Sequence, residues 1–287
     1  MRAPDRVVTA VDDRKSVIVD VIRNARETIV LSLFRCNDTD IFDELARATK
    51  RGVKVEALMT SRAKGGKKKL RKLWDALEAA GVSVQPYTEP VVKYHAKYLV
   101  ADDGPALVTS LNFTRKCFAK TCDAIVVTHD PAVIRGLQTL IAADRARAPL
   151  PDSIPRRLII GPERARLQFT ELFQQAKSSI RLIDAKLSDP DLVTLLNARR
   201  DAGITVHAYT SKRLGALQSH GKIILIDDRL AVIGSLALAA ISLGFRREVA
   251  IMVEDRDAVA EVARLFGSLD AEPTAGRIGV SEARAIL

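Results

Sequence analysis

The sequence predicts an α/β protein made of two similar α/β/α layered sheet units, which pack as an intramolecular pseudo-dimer. Three observations support this fold class. Short apolar segments alternate with amphipathic ones, the same order of segments occurs twice, and one short polar motif recurs at matching points of the two copies. The chain has 287 residues, 47% of them hydrophobic, which is enough for two units with real cores.

The first part of each copy shows the repeat in segment order. Residues 25–61 and 176–211 each contain an apolar strand, an Asp, Asn or Ser cap, an amphipathic helix, a glycine and a second apolar strand. Ala25 matches Ala176 and Gly52 matches Gly203, both 151 positions later. A glycine after the last helical residue is the usual left-handed helix stop, so the two helices are predicted to end alike.

The second part of each copy also repeats, but with a smaller offset in sequence. Residues 95–103 match 220–228, and residues 123–130 match 248–255, in both cases 125 positions later. A helix is predicted after each, and Asp130-Pro131 is a favourable start for the first. The distance shortens because the first copy carries 26 extra residues, which hold a basic run and a predicted strand at 82–88.

This repeat sets the predicted domain organisation. The first unit covers residues 1–146, a Pro- and Arg-containing linker covers 147–157, and the second unit covers 158–287. Two copies in one chain are expected to meet about an approximate twofold axis, with the active site at their interface and the chain a monomer. The uncharged stretch 230–245 is only 16 residues long, so it is interpreted as a core strand with a short helix and not as a membrane span.

The charge and the cysteine content indicate which binding partners and which cellular compartment to expect. The formal net charge is +10 and the sequence pI is about 9.7, which favours a polyanion such as nucleic acid or an anionic lipid surface. The N-terminal segment lacks an apolar signal region, so a cytoplasmic location is expected. Cys117 and Cys122 have no further Cys or His at metal-ligand spacing, so neither a metal nor a cofactor is expected.

One polar motif carries the chemistry, and it occurs once in each copy. It consists of a histidine, a lysine two residues later and an aspartate five residues after that. The two sets are His95, Lys97 and Asp102, and His220, Lys222 and Asp227. A serine follows each histidine by 15 residues and an acid follows it by 28, namely Ser110 and Asp123, and Ser235 and Glu248. Two matches inside a repeat are not plausibly chance, whereas His129 and His207 lack such partners and are interpreted as structural.

The spacing indicates a phosphate-handling site. Residues i and i+2 of a strand face the same side, so each histidine is predicted to project with its lysine. Two such pairs in one cleft bring like charges together, which is unfavourable without a ligand. A bound phosphate makes the arrangement favourable, because its oxygens accept hydrogen bonds from both lysines. One neutral imidazole can attack phosphorus while the other, protonated, supplies the leaving oxygen with a proton. The acid 28 residues later could hold the far ring nitrogen, and the lysines supply the charge a metal would otherwise provide.

The doubled motif, followed by Ser110 and Asn112, resembles the phospholipase D superfamily over about residues 14–268, closest in style to its minimal nuclease-type members. The resemblance implies one metal-independent phosphodiesterase site that works through a phosphohistidine. It implies His95 as nucleophile and His220 as acid, with the motif aspartates usually structural. The family pattern is Gly-Ser-x-Asn, but the first copy has Thr109 for the glycine and the second has Ala237 for the asparagine, so the site is expected to be asymmetric.

A nuclease is predicted from the basic run that precedes the first motif. Seven of the 11 residues from 62 to 72 are basic, and a phosphate backbone is expected on Lys67, Lys68, Lys69, Arg71 and Lys72. The same segment also fits an amphipathic helix whose lysines only face water. The alternatives are a phospholipase D or phosphatidyltransferase acting on anionic phospholipid, and a catalytically weak nucleic-acid-binding module.

Overall fold

The computed structural model describes residues 4–61, 66–88, 93–271 and the strand 277–278, and it contains two sheets of the same strand order. The first half contains β1 (Arg6–Val8), α1 (Asp13–Asn24), β2 (Thr28–Leu33), α2 (Thr39–Lys50), β3 (Lys54–Thr60), α3 (Lys67–Ala79), β4 (Ser83–Tyr87), β5 (Lys93–Tyr94), β6 (Tyr98–Ala101), β7 (Ala106–Thr109), α4 (Arg115–Ala119), β8 (Thr121–Cys122), β9 (Ile125–Thr128) and α5 (Pro131–Ala146). The second half contains β10 (Leu158–Gly161), α6 (Ala165–Gln175), β11 (Ser179–Ile183), α7 (Pro190–Asp201), β12 (Thr205–Tyr209), β13 (Arg213–Leu214), β14 (Leu217–Ser219), β15 (Ile223–Ile226), β16 (Leu230–Gly234), α8 (Ala240–Phe245), β17 (Arg246–Val253), α9 (Arg256–Asp270) and β18 (Arg277–Ile278).

The two sheets confirm the predicted repeat. The first sheet runs β1-β9-β7-β6-β2-β3-β4, and the second runs β10-β17-β16-β15-β11-β12-β18. Each repeated strand of one copy has its counterpart at the same place in the other. The edge strands differ, because β4 pairs parallel with β3 whereas β18 pairs antiparallel with β12.

Helix ends follow the signals in the sequence. Asp130 caps α5 by accepting a hydrogen bond of 2.9 Å from the Ala132 amide. Gly52 and Gly203 have φ values of +92° and +91°, so both copies leave this helix through the left-handed conformation that glycine permits. The stretch 230–245 forms β16 and α8, as predicted, and no helix of the described residues is long and apolar enough to cross a membrane.

The core is layered and continuous between the halves. Helices α1, α2 and α3 cover the outer face of the first sheet, and α6, α7 and α8 cover the outer face of the second. The inner faces of both sheets share one apolar cluster with α5 and α9, so that Val108 of β7 and Ile233 of β16 belong to the same core. The pseudo-dimer prediction is therefore confirmed. The boundaries at 146 and 158 remain an interpretation, because the central core belongs to both halves.

Candidate active site

The two histidine motifs lie at bends between strands. His95 follows β5 and precedes β6, and His220 follows β14 and precedes β15. The prediction that each histidine and lysine share a strand face is therefore wrong in this detail. The pairs still come together, because each lysine folds back over its own bend: Lys97 Nζ donates to the His95 carbonyl oxygen at 2.7 Å, and Lys222 Nζ donates to that of His220.

Two short parallel ladders exchange strands between the halves and position the histidines. β5 of the first half pairs with β17 of the second, with Tyr94 opposite Arg247. β14 of the second half pairs with β8 of the first, with Ser219 opposite Cys122. In both ladders the next residue is a histidine on one strand and an acid on the other. The same register therefore builds both histidine–acid pairs.

Each histidine consequently meets the acid of the other copy. His220 Nδ1 lies 3.0 Å from both carboxylate oxygens of Asp123, and His95 Nδ1 contacts Glu248. The sequence argument placed each acid with the histidine 28 residues before it, and this assignment is wrong. The correct partners are exchanged because the ladders join β5 to β17 and β14 to β8.

Asp123 is held as a carboxylate. It is fully buried and accepts hydrogen bonds from Ser110 Oγ at 2.7 Å and Thr121 Oγ1 at 2.5 Å. Burial raises its pKa, but the His220 ring and the two hydroxyls outweigh burial and lower the pKa below its usual value. The buried Arg14 donates to the backbone oxygens of Asp123 and Thr121, which fixes this segment.

Glu248 has a different environment. Burial raises its pKa to about 7, although Lys97, a hydrogen bond from Ser242 and Arg246 all favour the carboxylate. Ser235, the counterpart of Ser110, is bonded instead to the Val249 backbone, at 3.3 Å to its oxygen and 3.1 Å from its nitrogen. The predicted asymmetry of the site is thus expressed in its two acids.

The two histidines also differ. The His95 side chain is only 14% exposed, and burial, followed by Lys97 and Arg246, lowers its pKa well below the usual value. The His220 side chain is 31% exposed, and its Nε2 lies 3.4 Å from Nδ2 of Asn112. In the neutral tautomer that directs Nδ1–H at Asp123, Nε2 of His220 can accept from Asn112.

Four cations of the described residues surround the histidines. Lys97 is buried, and burial lowers its pKa to about 7, with Lys222 contributing in the same direction. Lys186 and Arg246 also act electrostatically on His95, and desolvation and then Lys222 lower the pKa of Lys186. Sequence reasoning missed Lys186. The repeat carried a signal for it, because Arg35 stands 151 positions earlier at the end of the equivalent strand.

The motif aspartates lie in turns away from the histidines. Asp102 accepts hydrogen bonds from the backbone amides of Arg26, Glu27 and Thr28, at 2.8–2.9 Å. Asp227 does the same for residues 177–179, and both aspartates have positive φ, at 48° and 54°. Burial raises the pKa of each, but the amide bonds outweigh it and lower the pKa. These contacts hold the turns and do not reach the histidines, which fits the structural role that the family resemblance implies for the motif aspartates.

The basic run forms α3, and part of it borders the site. The side chains of Lys67, Lys68, Lys69, Arg71 and Lys72 are exposed, and Arg71 pairs with Asp75 at 2.8 Å. Lys69 and Lys72 line a cavity of about 640 Å³ that also reaches Asn112 and His220. Leu73 and Leu77 are buried, so the amphipathic interpretation is correct as well. Arg62 and Lys64 of the same run lie outside the described residues.

One group of side chains in the described part of the chain has the donor types of a metal site. Ligand atoms of Cys117, Asp123 and His220 lie within 4.8 Å of one another. The carboxylate oxygens of Asp123 already accept from Ser110, Thr121 and the His220 ring. Hydrogen bonding thus accounts for this cluster, and a metal-free reaction stays a prediction.

Comparisons with known proteins agree with this geometry. A family model described as cardiolipin synthase, PLD-like domain, matches residues 18–145 and 196–269. The structure of polyphosphate kinase from Porphyromonas gingivalis is 17% identical, with a TM-score of 0.77 over 96% of this chain and 49% of that one. Phosphatidylserine synthase from Haemophilus influenzae is 14% identical, with a TM-score of 0.65 over 93% and 86% of the two chains.

At such identities these structures show the fold alone, and the chain spans about half the length of the polyphosphate kinase. No curated protein sequence matches the chain significantly. The family model covers most of both copies, including both histidine motifs. The chain therefore belongs to the phospholipase D superfamily, through its PLD-like domain.

Proposed function

We propose that the chain is a metal-independent phosphodiesterase that works through a phosphohistidine and cleaves nucleic acid. The observation that carries the proposal is the pair of exchanged histidine–acid contacts, His220 with Asp123 and His95 with Glu248, beneath several cations. A phosphodiester between the two rings would neutralise part of this charge and place phosphorus between a nucleophile and an acid.

The geometry favours His220 as the nucleophile, in contrast to the His95 that the family resemblance implies. His220 is the more exposed ring, and the ionised Asp123 holds its Nδ1–H so that Nε2 keeps its lone pair. In the first step Nε2 of His220 forms a bond to phosphorus and the bond from phosphorus to the leaving oxygen breaks. Lys97 and Lys222 stabilise the non-bridging oxygens, whose charge grows as the bond forms.

His95 then supplies the proton for the leaving oxygen. Burial and the surrounding cations lower its pKa, but a bound phosphodiester anion would counteract those cations and favour the imidazolium. Glu248 contacts Nδ1, so the imidazolium has a carboxylate partner when it forms. In the second step water attacks phosphorus, its proton passes to the now neutral His95, and the bond to His220 breaks.

Charge distribution supports nucleic acid as the substrate. The net charge is +10, and Lys69 and Lys72 of α3 line the cavity that reaches His220. A polynucleotide presents a phosphate every few ångströms, and basic groups beside a catalytic cleft fit such a chain.

Phospholipid is the second candidate, and one surface feature favours it. Ile241 and Phe245 of α8 are 62% and 56% exposed, and Arg246 of the cleft follows them directly. An exposed apolar pair beside a cation could dip into an anionic bilayer. The matching family description names cardiolipin synthase, and phosphatidylserine synthase has a similar fold.

The test uses bis(p-nitrophenyl) phosphate, whose leaving group needs no protonation. The His95→Asn variant should release about one equivalent of nitrophenolate in a burst and accumulate a phosphoryl adduct, because the second step lacks its base. Peptide mass spectrometry should locate the adduct on His220, and the His220→Asn variant should form none. An adduct on His95 in the wild type would reverse the assignment, and the absence of any adduct or turnover would reject the proposed chemistry.

Substrate class is tested with the wild-type protein. Single- and double-stranded DNA, RNA and phosphatidylglycerol vesicles are incubated in parallel with excess EDTA. Nucleic-acid cleavage with intact lipid is the expected result. Cleavage of lipid alone would favour the second candidate.

A further inference from the structure

The cavity beside His220 has two chemically distinct surfaces. Phe42, Leu70 and Leu73 contribute an apolar wall, whereas Lys69 and Lys72 contribute cations. Its volume of about 640 Å³ lies within the usual range of about 300–1,000 Å³ for small-molecule sites. An occupant must therefore combine an apolar group of moderate size with negative charge.

Phe34 connects this cavity to the catalytic cleft. Its half-buried ring lines the cavity and packs edge-on against the His95 ring, with centroids 4.4 Å apart. The Nζ atoms of Lys97 and Lys93 lie 5.2 and 5.4 Å from its centroid. The corresponding position of the second copy, 151 residues later, is Ala185. The Phe34 ring therefore has no aromatic counterpart at the equivalent described position of the second copy.

The cavity has more positively charged side chains than the single negative charge of one phosphodiester requires. Arg35, Lys69, Lys72 and Lys116 all line it, in addition to the lysines beside the two histidines. A diacyl phospholipid with a neutral headgroup carries one phosphate, so it would leave most of these four cations without an anionic partner. A polynucleotide places further phosphates on each side of the reacting one, and an unstacked base supplies the apolar group.

We infer that this cavity is a nucleotide subsite, which takes the base next to the reacting phosphate of a single-stranded nucleic acid. The base stacks on Phe34 and packs against Phe42 and Leu70, while Lys69 and Lys72 contact the flanking phosphates. A duplex would have to extrude a base to reach the same position. The inference rests on the proposed function for the location of the reacting phosphate, and it adds the strand state and the contacts of the substrate.

Binding of fluorescent oligomers, measured by anisotropy, tests the subsite. Every protein in this assay, including the one called wild type, carries His220→Asn so that the oligomers are not cleaved. The first probe is a single-stranded DNA oligomer, and the second is an oligomer of the same length made of abasic residues. The wild type should bind the first about 5- to 150-fold more tightly, which corresponds to stacking of one base. The Phe34→Ala variant should lose most of this difference, and Phe34→Leu, which keeps apolar volume, should lose less. Circular dichroism verifies that both variants are folded.

The lysines provide a matched comparison on one helix. The double variant Lys69→Ala/Lys72→Ala should weaken both probes about tenfold or more at low salt. The double variant Lys67→Ala/Lys68→Ala removes the same charge from residues of α3 that are not part of the described cavity lining, and it should weaken them much less. Equal loss in the two double variants, or equal affinity of the wild type for the two probes, would overturn the subsite.

Failure of the subsite and failure of the proposed chemistry are distinguishable. Binding is measured without turnover, and hydrolysis of bis(p-nitrophenyl) phosphate is measured separately. Base-dependent binding without hydrolysis would retain the subsite and reject the phosphodiesterase. The inference would be overturned if phosphatidylglycerol vesicles competed with the oligomer and Phe34→Ala abolished this competition. That result would assign the cavity to lipid.

Discussion

Lys97 should make the binding of a phosphodiester consume a proton. Its side chain is 2% exposed, and burial lowers its pKa to about 7, with Lys222 adding to the effect and Glu248 opposing it. A bound anion compensates for the lost hydration of the ammonium and should return the pKa toward its ordinary value of about 10.4. At a pH between these two pKa values, Lys97 is deprotonated in the free protein and protonated in the complex.

The size of the effect follows from the two pKa values. At pH 8 a lysine with a pKa of about 7 is protonated to about 0.1, so binding should take up about 0.9 proton at this position. A group whose pKa rises on binding favours the complex fully below the lower pKa and loses that contribution as pH rises. The affinity contributed by Lys97 should therefore fall about tenfold, or 1.4 kcal/mol, for each pH unit above 7.

Isothermal titration calorimetry with diethyl phosphate measures this uptake. This ligand stays a monoanion throughout the range, so titration of the ligand does not contribute. Heats at pH 8 in two buffers of different ionisation enthalpy give the number of protons taken up. Lys97→Arg, which keeps the charge and does not titrate, should take up about 0.9 proton less than the wild type. Equal uptake by both proteins, or proton release by the wild type, would refute the reasoning.

Three further predictions concern the turns, the interface and the metal. Asp102→Ala should lower the free energy of unfolding, measured in urea, by about 1–2 kcal/mol at neutral pH, and Asp102→Asn, which keeps an acceptor oxygen, should lower it less. The pKa of Asp102 is lowered in the folded protein, so the contribution of the carboxylate should be lost as pH falls below about 3.9 and through that lowered pKa. Arg247→Ala should cost about 3–5 kcal/mol, also by urea unfolding, because it leaves buried Asp144 and the neighbouring Glu163 without their partner. Excess EDTA should leave the rate of diester hydrolysis unchanged, and loss of activity restored by Mg²⁺ would contradict a metal-independent site.

The repeat made the architecture predictable. Matching strands, the glycine stops at Gly52 and Gly203 and the Asp130 cap are local signals, and each is found in the structure as predicted. The motif residues that gather at the candidate site were also identifiable, because a doubled set of His, Lys and acid at fixed distances has no simple packing explanation. These features depend on neighbours in sequence, and sequence patterns report such neighbours well.

The exchanged partners were not predictable in the same way. A spacing of 28 residues suggested that Asp123 serves His95, yet the β14–β8 ladder places Asp123 against His220. Which strand pairs with which across the interface depends on how the two halves dock, and no local pattern carries that information. Lys186 was missed for a related reason. The repeat matches it with Arg35, but only the fold shows that the end of β11 lies beside the second motif.

The exchange makes each histidine dependent on the other half of the chain. In the first ladder the His95 amide donates to the Arg247 carbonyl at 2.9 Å, and in the second the Gly221 amide donates to that of Cys122 at 2.8 Å. A side chain at position 221 would meet the Cys122 oxygen at 2.6 Å, so the second bend needs its glycine, whereas the first bend has Ala96 at the matching position. The strand pairing keeps one register in both ladders, whereas the donor of this hydrogen bond and the side chains around it differ. The same backbone frame therefore presents Asp123, whose pKa is lowered, to one imidazole and Glu248, whose pKa is raised, to the other. In the proposed mechanism this difference separates the nucleophile from the acid.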